Sequence, residues 1–334
     1  MEEKSTLFKD FALEWLKIYS HSRDVKPGTV RVRNHEIDKL MPYFAYLKLT
    51  DITLKKYQDT LNDLKEKYAN NTLDGIHRTG RMIFRKAVEM EIVIKDPTEF
   101  AVIKKEKKAI EELEKAEVPR YLEKNELALF LETAAFKGLD MDYLVFLILS
   151  YTGMRVGELV SLKWNDIDFP ENTVRIIKTY YNPTNNTVKY QLVPPKTKGS
   201  VRRIVIDDIV IEALKRHKET QEKVKRRIGN TYYNKDFIFA NSCKYPGYPI
   251  LIKTVENRMK RLLKIAKLNQ ELTPHSLRHT HTSLLAEAKV GLEEIMDRLG
   301  HTEDRTTRNI YLHVTKELKK EASQKFGQLM RSLQ

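Results

Sequence analysis

Residues 275–279 read HSLRH, residues 299–301 read LGH and residues 152–159 read TGMRVGEL, and these three segments decide how the chain is interpreted. Together with Tyr311 they supply two arginines, several histidines and a phenol. A phosphoryl group in transfer carries negative charge on its non-bridging oxygens. The rigid, always-charged guanidinium group of arginine matches that geometry with paired hydrogen bonds. The combination therefore points to breakage of a phosphodiester bond without a metal ion, as in an enzyme that cuts DNA.

The TGMRVGEL segment has a local reason to bind an anion. Arg155 follows Thr152-Gly153 and is predicted to open a helix. Free backbone N–H groups and the helix dipole favour negative charge at such a position. Glu158, one turn later, can hold the guanidinium group of Arg155 in place.

The HSLRH segment places His275 and Arg278 on one face of a second helix, which opens after Pro274. His275 and His279 also have the i,i+4 spacing of a zinc pair. The segment lacks the glutamate of an HExxH motif, and no cysteine lies nearby, so we expect no metal and no cofactor.

Two further segments complete the candidate site. Residues 195–199 (PKTKG) are predicted at the tip of a hairpin, where a lysine can protonate a departing alkoxide or simply touch phosphates. Lys196 is the first choice for this role and Lys198 the second, although spacing does not separate them. Gly300 ends a short helix and places His301 in the next turn. Tyr311 is predicted in another short helix.

The composition is that of a globular protein with a polyanionic partner. Lys and Arg number 60 against 46 Asp and Glu, a formal charge of +14 that is spread along the chain. The single cysteine, Cys243, cannot form an internal disulfide, and no apolar run is long enough for a membrane helix. With no signal-peptide pattern at the N-terminus, these features predict a cytoplasmic, DNA-associated protein.

The predicted fold class is mainly α with a small antiparallel β-sheet (α+β). Residues 5–100 are predicted to form a four-helix bundle, with Thr72 as the cap of the fourth helix, and the charge-dense residues 101–119 an interdomain linker. Residues 120–334 form the second domain. Its strands are predicted at 173–181, 188–193 and 202–206, and its helices at 127–135, 143–151, 208–227, 252–267, 275–288, 292–299 and 316–331.

The order and spacing of these residues resemble the tyrosine recombinase family, in particular the integrases of temperate phages and integrative conjugative elements. The resemblance covers roughly residues 5–325 and rests on five positions: Arg155, the hairpin lysine, His275-x-x-Arg278, Gly300-His301 and Tyr311. It implies a helical, SAM-like core-binding domain followed by a catalytic domain. Many such integrases carry a further N-terminal arm-binding domain. None is evident before Ser5, so we expect either a simpler recombinase or a trimmed form of a longer one.

The resemblance also implies a mechanism and partners. Tyr311 would attack DNA to give a 3′-phosphotyrosyl intermediate, with strands exchanged without ATP or a divalent ion, to integrate or excise a mobile element. The expected partners are double-stranded DNA attachment sites, a homotetramer on that DNA, and an excisionase or host DNA-bending protein. The C-terminal helix could dock on a neighbouring subunit or on its own domain. A non-catalytic DNA-binding regulator and a type IB topoisomerase are the alternatives.

Overall fold

The computed structural model describes residues 6–22, 25–104, 120–195, 198–300 and 305–332. The chain forms two compact units, Met1–Lys115 and Ala116–Gln334. The predicted linker at 101–119 lies almost entirely outside the described residues. None of the described helices has an apolar stretch that could cross a membrane.

The described residues of the first unit form four α-helices around an aromatic core. The ring of Phe8 packs against Phe44 and Phe84, and Tyr57 stacks on Phe44. All four of these rings are buried. The helices are α1 (Phe8–Ser22), α2 (Pro27–Phe44), α3 (Leu54–Lys67) and α4 (Asn70–Glu89).

The predicted cap of α4 is wrong. The helix begins at Asn70, and the residue before it, Ala69, has an extended backbone and makes no side-chain cap hydrogen bond. Thr72 therefore lies inside the first turn. In contrast, the side chain of Thr53 caps α3 by accepting from the backbone N–H of Lys56 at 3.3 Å.

The second unit surrounds one central helix that is buried on nearly every face. This helix, α6 (Asp142–Thr152), has an almost uniformly apolar sequence and ends at Gly153, which has a φ of +60°. The unit's helices are α5 (Lys124–Lys137), α6 (Asp142–Thr152), α7 (Val156–Val160), α8 (Asp208–Ile228), α9 (Ile252–Ile265), α10 (Pro274–Glu287), α11 (Leu292–Leu299) and α12 (Arg305–Ser332).

In the part of the chain that the structure describes, the strands form two small antiparallel sheets instead of one. Their bounds are β1 (Ile167–Asp168), β2 (Thr173–Ile176), β3 (Thr179–Tyr181), β4 (Gln191–Val193) and β5 (Arg202–Val205). The first sheet has the order β1-β2-β5 and the second pairs β3 with β4. The chain consequently passes from one sheet to the other between β4 and β5. The prediction of residues 195–199 as a hairpin tip is wrong, because β5 pairs with β2 and not with β4. Lys196 and Thr197 themselves lie outside the described residues.

The C-terminal helices differ from the prediction in one respect. Tyr311 does not lie in a separate short helix, because α12 runs without a break from Arg305 to Ser332. No proline interrupts this stretch. Thr315 Oγ also donates to the carbonyl of Tyr311 at 2.8 Å, a contact compatible with a continuous helix.

Candidate active site

Arg155 and Glu158 form the first element of the candidate site. Arg155 is the N-cap of α7, and its backbone N–H donates to Glu158 Oε2 at 3.0 Å in a capping box. Its guanidinium Nη1 donates to Glu158 Oε1, also at 3.0 Å. The contact expected from the spacing is therefore present. The Arg155 side chain remains 39% exposed, so the carboxylate orients a guanidinium group that solvent can still reach.

Glu158 has a second arginine partner that the sequence reasoning missed. Arg202 Nη2 donates to Glu158 Oε2 at 2.9 Å, and both side chains are buried. Burial alone would raise the pKa of the Glu158 carboxyl, but the charges and hydrogen bonds of Arg202 and Arg155 outweigh it and lower the pKa below its usual value. A sequence signal existed. Arg202 occupies the same face of β5 as the buried Ile204, and a charged residue at an inward position needs a partner.

Arg278 joins the two other motif segments through the backbone. Its guanidinium group is buried, with 2% exposure of the residue, on the inward face of α10. Nη1 donates to the carbonyl of Gly153 and Nη2 to the carbonyl of Leu299, both at 2.6 Å. The turn before Arg155 and the turn before His301 are thus tied to one guanidinium group.

Two glycines allow these turns to approach closely. A Cβ added to Gly153 would lie 2.6 Å from Leu299 Cδ2 and 2.7 Å from His281 Cδ2. Gly300 has φ +68°, and a Cβ there would lie 2.9 Å from the carbonyl oxygen of Gly199. Gly300 therefore lies directly against Gly199, at the end of the segment that carries the candidate lysines.

His281 and Arg298 were not assigned a role from the sequence, yet they are part of the same network. Arg298 Nε donates to His281 Nε2 at 3.1 Å, and His281 Nδ1 is 2.8 Å from the carbonyl of Ser150. Arg298 Nη2 also donates to the carbonyl of Tyr151 at 3.0 Å. The carbonyl of Arg298 accepts from Arg202 Nε at 2.9 Å. Helix α11 is thereby fixed to α6 and β5.

The remaining predicted residues lie at the edge of this network or outside the described chain. His275 is exposed at the start of α10, and its ring meets that of His279 edge-on at 4.8 Å between centroids. Lys198 begins a short 3₁₀ turn, Lys198–Ser200. Lys196 and His301 lie outside the described residues. Within the described residues, no group of three or more His, Cys, Asp or Glu side chains could hold a metal ion.

Tyr311 is held beside the network by apolar packing. Its half-buried ring packs against a cluster formed by Ala286, Ile295 and Leu299, which belong to α10 and α11. Its neighbour Ile310 is completely buried. Leu299 thus connects the two halves of the site, since its carbonyl accepts from Arg278 and its side chain belongs to the cluster that supports the tyrosine helix.

This geometry suits chemistry on an anion in several ways. One guanidinium group, Arg155, is partly exposed and fixed by a carboxylate, and a second, Arg278, is fixed at a crossing of two turns. The phenol of Tyr311 lies on a helix that packs against one of those turns. Fixed donors of this kind stabilise negative charge that develops during a reaction because they need little reorganisation.

Comparison with protein families gives two matches. Residues 120–317, more than half of the chain, match the phage integrase family, and residues 7–65 match the N-terminal SAM-like domain of phage integrases.

Individual relatives agree with the family matches. The chain is 28% identical to the integrase of Staphylococcus phage L54a over 98% of this chain and 95% of that protein. It is 30% identical to the prophage ps2 probable integrase of Lactococcus lactis, over 93% of this chain and 80% of the relative. In fold, it is similar to the Tn1549 transposon integrase, solved with circular intermediate DNA, with a TM-score of 0.72 and 21% identity over 96% of this chain and all of that one. The chain therefore belongs to the phage integrase family and is a site-specific tyrosine recombinase of the phage and mobile-element type.

Proposed function

We propose that the protein integrates or excises a mobile element by using Tyr311 to cut and rejoin DNA at attachment sites. The phenolic oxygen attacks the scissile phosphorus, the bond to the 5′-oxygen breaks, and a 3′-phosphotyrosyl ester forms. The 5′-hydroxyl of a second strand then attacks this ester and releases the phenol. Because the ester conserves the bond energy, the exchange requires neither ATP nor a divalent ion.

The observation that carries this proposal is the double hydrogen bond of Arg278. By donating to Gly153 and to Leu299, it brings segments that are far apart in the sequence into one small region. The motif residues must lie close together to act on one phosphate, so this convergence supports the proposal through the fold as well as through the order of residues.

The roles of the individual residues are part of the proposal. Arg155 and Arg278 clamp the non-bridging oxygens, and Glu158 orients Arg155. His301 donates a hydrogen bond to one of these oxygens, and His275 assists removal of the Tyr311 proton. Lys196 protonates the leaving 5′-oxygen, and Lys198 is the second choice.

The partners follow from charge and family. A charge of +14 favours double-stranded DNA, and phosphate contacts that release counterions make binding strongly salt-dependent. Two strand exchanges need four tyrosines, so we propose a homotetramer assembled on two sites, with an excisionase or host DNA-bending protein as a further partner. We propose that the protein acts on this double-stranded DNA in the cytoplasm. The first unit is proposed as the core-binding domain and the second as the catalytic domain.

The docking partner of the C-terminal part of α12 is open to a direct test. Phe326 is 62% exposed, while Ile310 on the same helix is completely buried. The first turns of α12 therefore pack on their own unit, and the later turns offer an apolar side chain for a neighbouring subunit. Deletion of residues 316–334 should abolish the joining of two sites. Intact joining would exclude docking in trans.

The test of the function uses attachment-site DNA and a denaturing gel in the presence of EDTA. The native protein should form a covalent protein–DNA adduct and exchange strands between two duplexes. Tyr311→Phe should bind the same DNA and form no adduct. Tyr245→Phe is the matched control, because Tyr245 is an exposed tyrosine of the same unit outside the network, and it should behave as the native protein does.

Three results would contradict the proposal. An adduct with Tyr311→Phe would remove the tyrosine from its role. Absence of an adduct with the native protein would favour a non-catalytic regulator. Relaxation of supercoiled DNA without joining between duplexes would favour a topoisomerase.

A further inference from the structure

The buried His281 and the half-buried Arg298 form a hydrogen-bonded pair within the network of the site, although neither residue belongs to the motif set. Its hydrogen bonds run from Arg298 to the imidazole and from the imidazole to Ser150 on α6. Both ring nitrogens of His281 are therefore used. His281 lies on α10 and Arg298 on α11, so the pair links three helices.

We infer that His281 and Arg298 are a positioning pair, which locks the Leu299-Gly300 turn onto the Gly153 turn and so aims the guanidinium group of Arg278. The inference deepens the proposed function and rests on it. Its physical basis is that Arg278 takes its two acceptors from these same turns. If the turns separate, at least one of the two 2.6 Å hydrogen bonds must lengthen.

The hydrogen-bond directions define the chemical state of the pair. Arginine can only donate, so His281 Nε2 must be the acceptor and Nδ1 must carry the proton that is donated to Ser150. The imidazole is then neutral, in a single tautomer. Burial, together with the positive charge of Arg298, lowers the pKa of His281 to about 3, in agreement with this assignment.

The position of the ring explains why a hydrogen-bonding side chain, and not only a bulky one, is needed here. His281 Cδ2 and Leu299 Cδ2 both lie against Gly153, so the ring fills the space between the two turns. An apolar ring would fill that space too. It would leave the Nε of the half-buried Arg298 without its acceptor, which favours displacement of α11.

Substitutions of His281 that keep only one of its two hydrogen bonds distinguish a role in positioning from a role in folding. In His281→Gln, the amide oxygen can take the place of Nε2 and accept from Arg298. In His281→Asn, the shorter amide can take the place of Nδ1 and donate to Ser150, but it loses Arg298. Both variants are polar and smaller than or similar to histidine.

The matched control is His217→Asn. His217 is a partly buried histidine of the second unit, with a hydrogen bond to the carbonyl of Ile238 at 2.8 Å. It belongs to α8, and its ring packs against Trp164 and Phe239, which are not part of the network described above. His217→Asn should lower the stability of the fold without changing the rate at which the folded protein forms the adduct.

The measurement is the single-turnover rate of adduct formation on attachment-site DNA, together with DNA affinity and thermal unfolding. We expect His281→Asn to slow adduct formation about 10- to 100-fold, because small displacements of a positioned group have effects of this size. DNA affinity should stay within about 2-fold, since the phosphate contacts made elsewhere persist. His281→Gln should recover most of the rate. In a double variant with Arg298→Met, His281→Asn should add little further loss.

Several outcomes would overturn the inference. One is a rate for His281→Asn equal to that of His217→Asn at the same fraction of folded protein. Another is equal slowing in the Gln and Asn variants, and a third is a fully additive double variant. Tyr311→Phe, assayed alongside, distinguishes the failures. If the native protein forms an adduct and Tyr311→Phe does not, the proposed function stands even where the positioning pair fails.

Discussion

Glu158→Gln removes a charge that two arginines share. Glu158 and Arg202 are exposed by only 2% and 5%, and the atoms that pair are 2.9 Å apart. Loss of one partner of such a buried pair leaves the other charge uncompensated, which costs about 3–5 kcal/mol. The remaining acceptors of Arg202, the carbonyls of Ser200 and Arg298, are neutral and recover only part of this. We therefore expect the free energy of unfolding to fall by about 3–5 kcal/mol.

The assay is urea unfolding of the full chain, with adduct formation measured under conditions where the variant is folded. Glu212→Gln is the matched control, because Glu212 pairs with Lys215 at 2.8 Å but both side chains are more than half exposed. An exposed pair of this kind is screened by solvent and contributes little to stability. The two variants remove the same chemical group, so the difference between them reports burial.

A double substitution then separates stability from chemistry. Glu158→Leu with Arg202→Met replaces the buried pair by apolar side chains, which is often neutral for stability. We expect most of the stability to return while adduct formation stays slow, because Arg155 has still lost its carboxylate. Equal losses in Glu158→Gln and Glu212→Gln, or a double variant with the native cleavage rate, would refute this reasoning.

Three further substitutions test the packing around the site. Gly153→Ala puts a Cβ 2.6 Å from Leu299 Cδ2 at a residue with a φ of +60°. We expect the free energy of unfolding, measured in urea, to fall by about 1–3 kcal/mol. Native stability would contradict the close approach of the turns. Ile310→Ala empties a completely buried position and should lower the free energy of unfolding by about 2–5 kcal/mol. Leu312→Ala, on the exposed face of the same helix, should lower it by at most about 0.5 kcal/mol. Similar losses in the two variants would show that α12 is not packed as described. The lowered pKa of His281 means that the unfolded chain binds more protons than the folded one below the ordinary value of 6.5, so stability is complete above that pH and falls as the pH drops. Between about pH 7 and about pH 5, this effect should lower the free energy of unfolding by about 2 kcal/mol, and His281→Gln should abolish that loss. The free energy of unfolding is measured by denaturation at each pH. An unchanged pH dependence in the variant would contradict the neutral, buried imidazole.

Several helix ends beside the motif segments could be predicted from the sequence because they carry a local signature. Pro274 and Gly300 mark the start of one helix and the end of another, and the fold places both where they were expected. Arg155 lies at a helix start because a glycine turn precedes it. These signals for helix starts and ends depend on backbone geometry over a few residues, so they can be identified without knowledge of the tertiary structure.

The supporting residues could not be read in the same way. Arg202 pairs with Glu158, and Arg298 reaches Tyr151, across long stretches of sequence. Such contacts depend on which strand pairs with which and on how helices cross. The incorrect hairpin at 195–199 has the same origin, because the pattern of apolar residues predicts that a segment is a strand but does not name its partner.

The central claim is that Tyr311 becomes esterified to DNA, and the identity of the modified residue tests it most directly. The adduct formed in EDTA would be digested with nuclease and protease, and the peptide carrying the residual nucleotide sequenced by mass spectrometry. We predict a nucleotide attached through its 3′-phosphate to Tyr311 and to no other residue. A nucleotide on a different side chain, or one attached through a 5′-phosphate, would contradict the account.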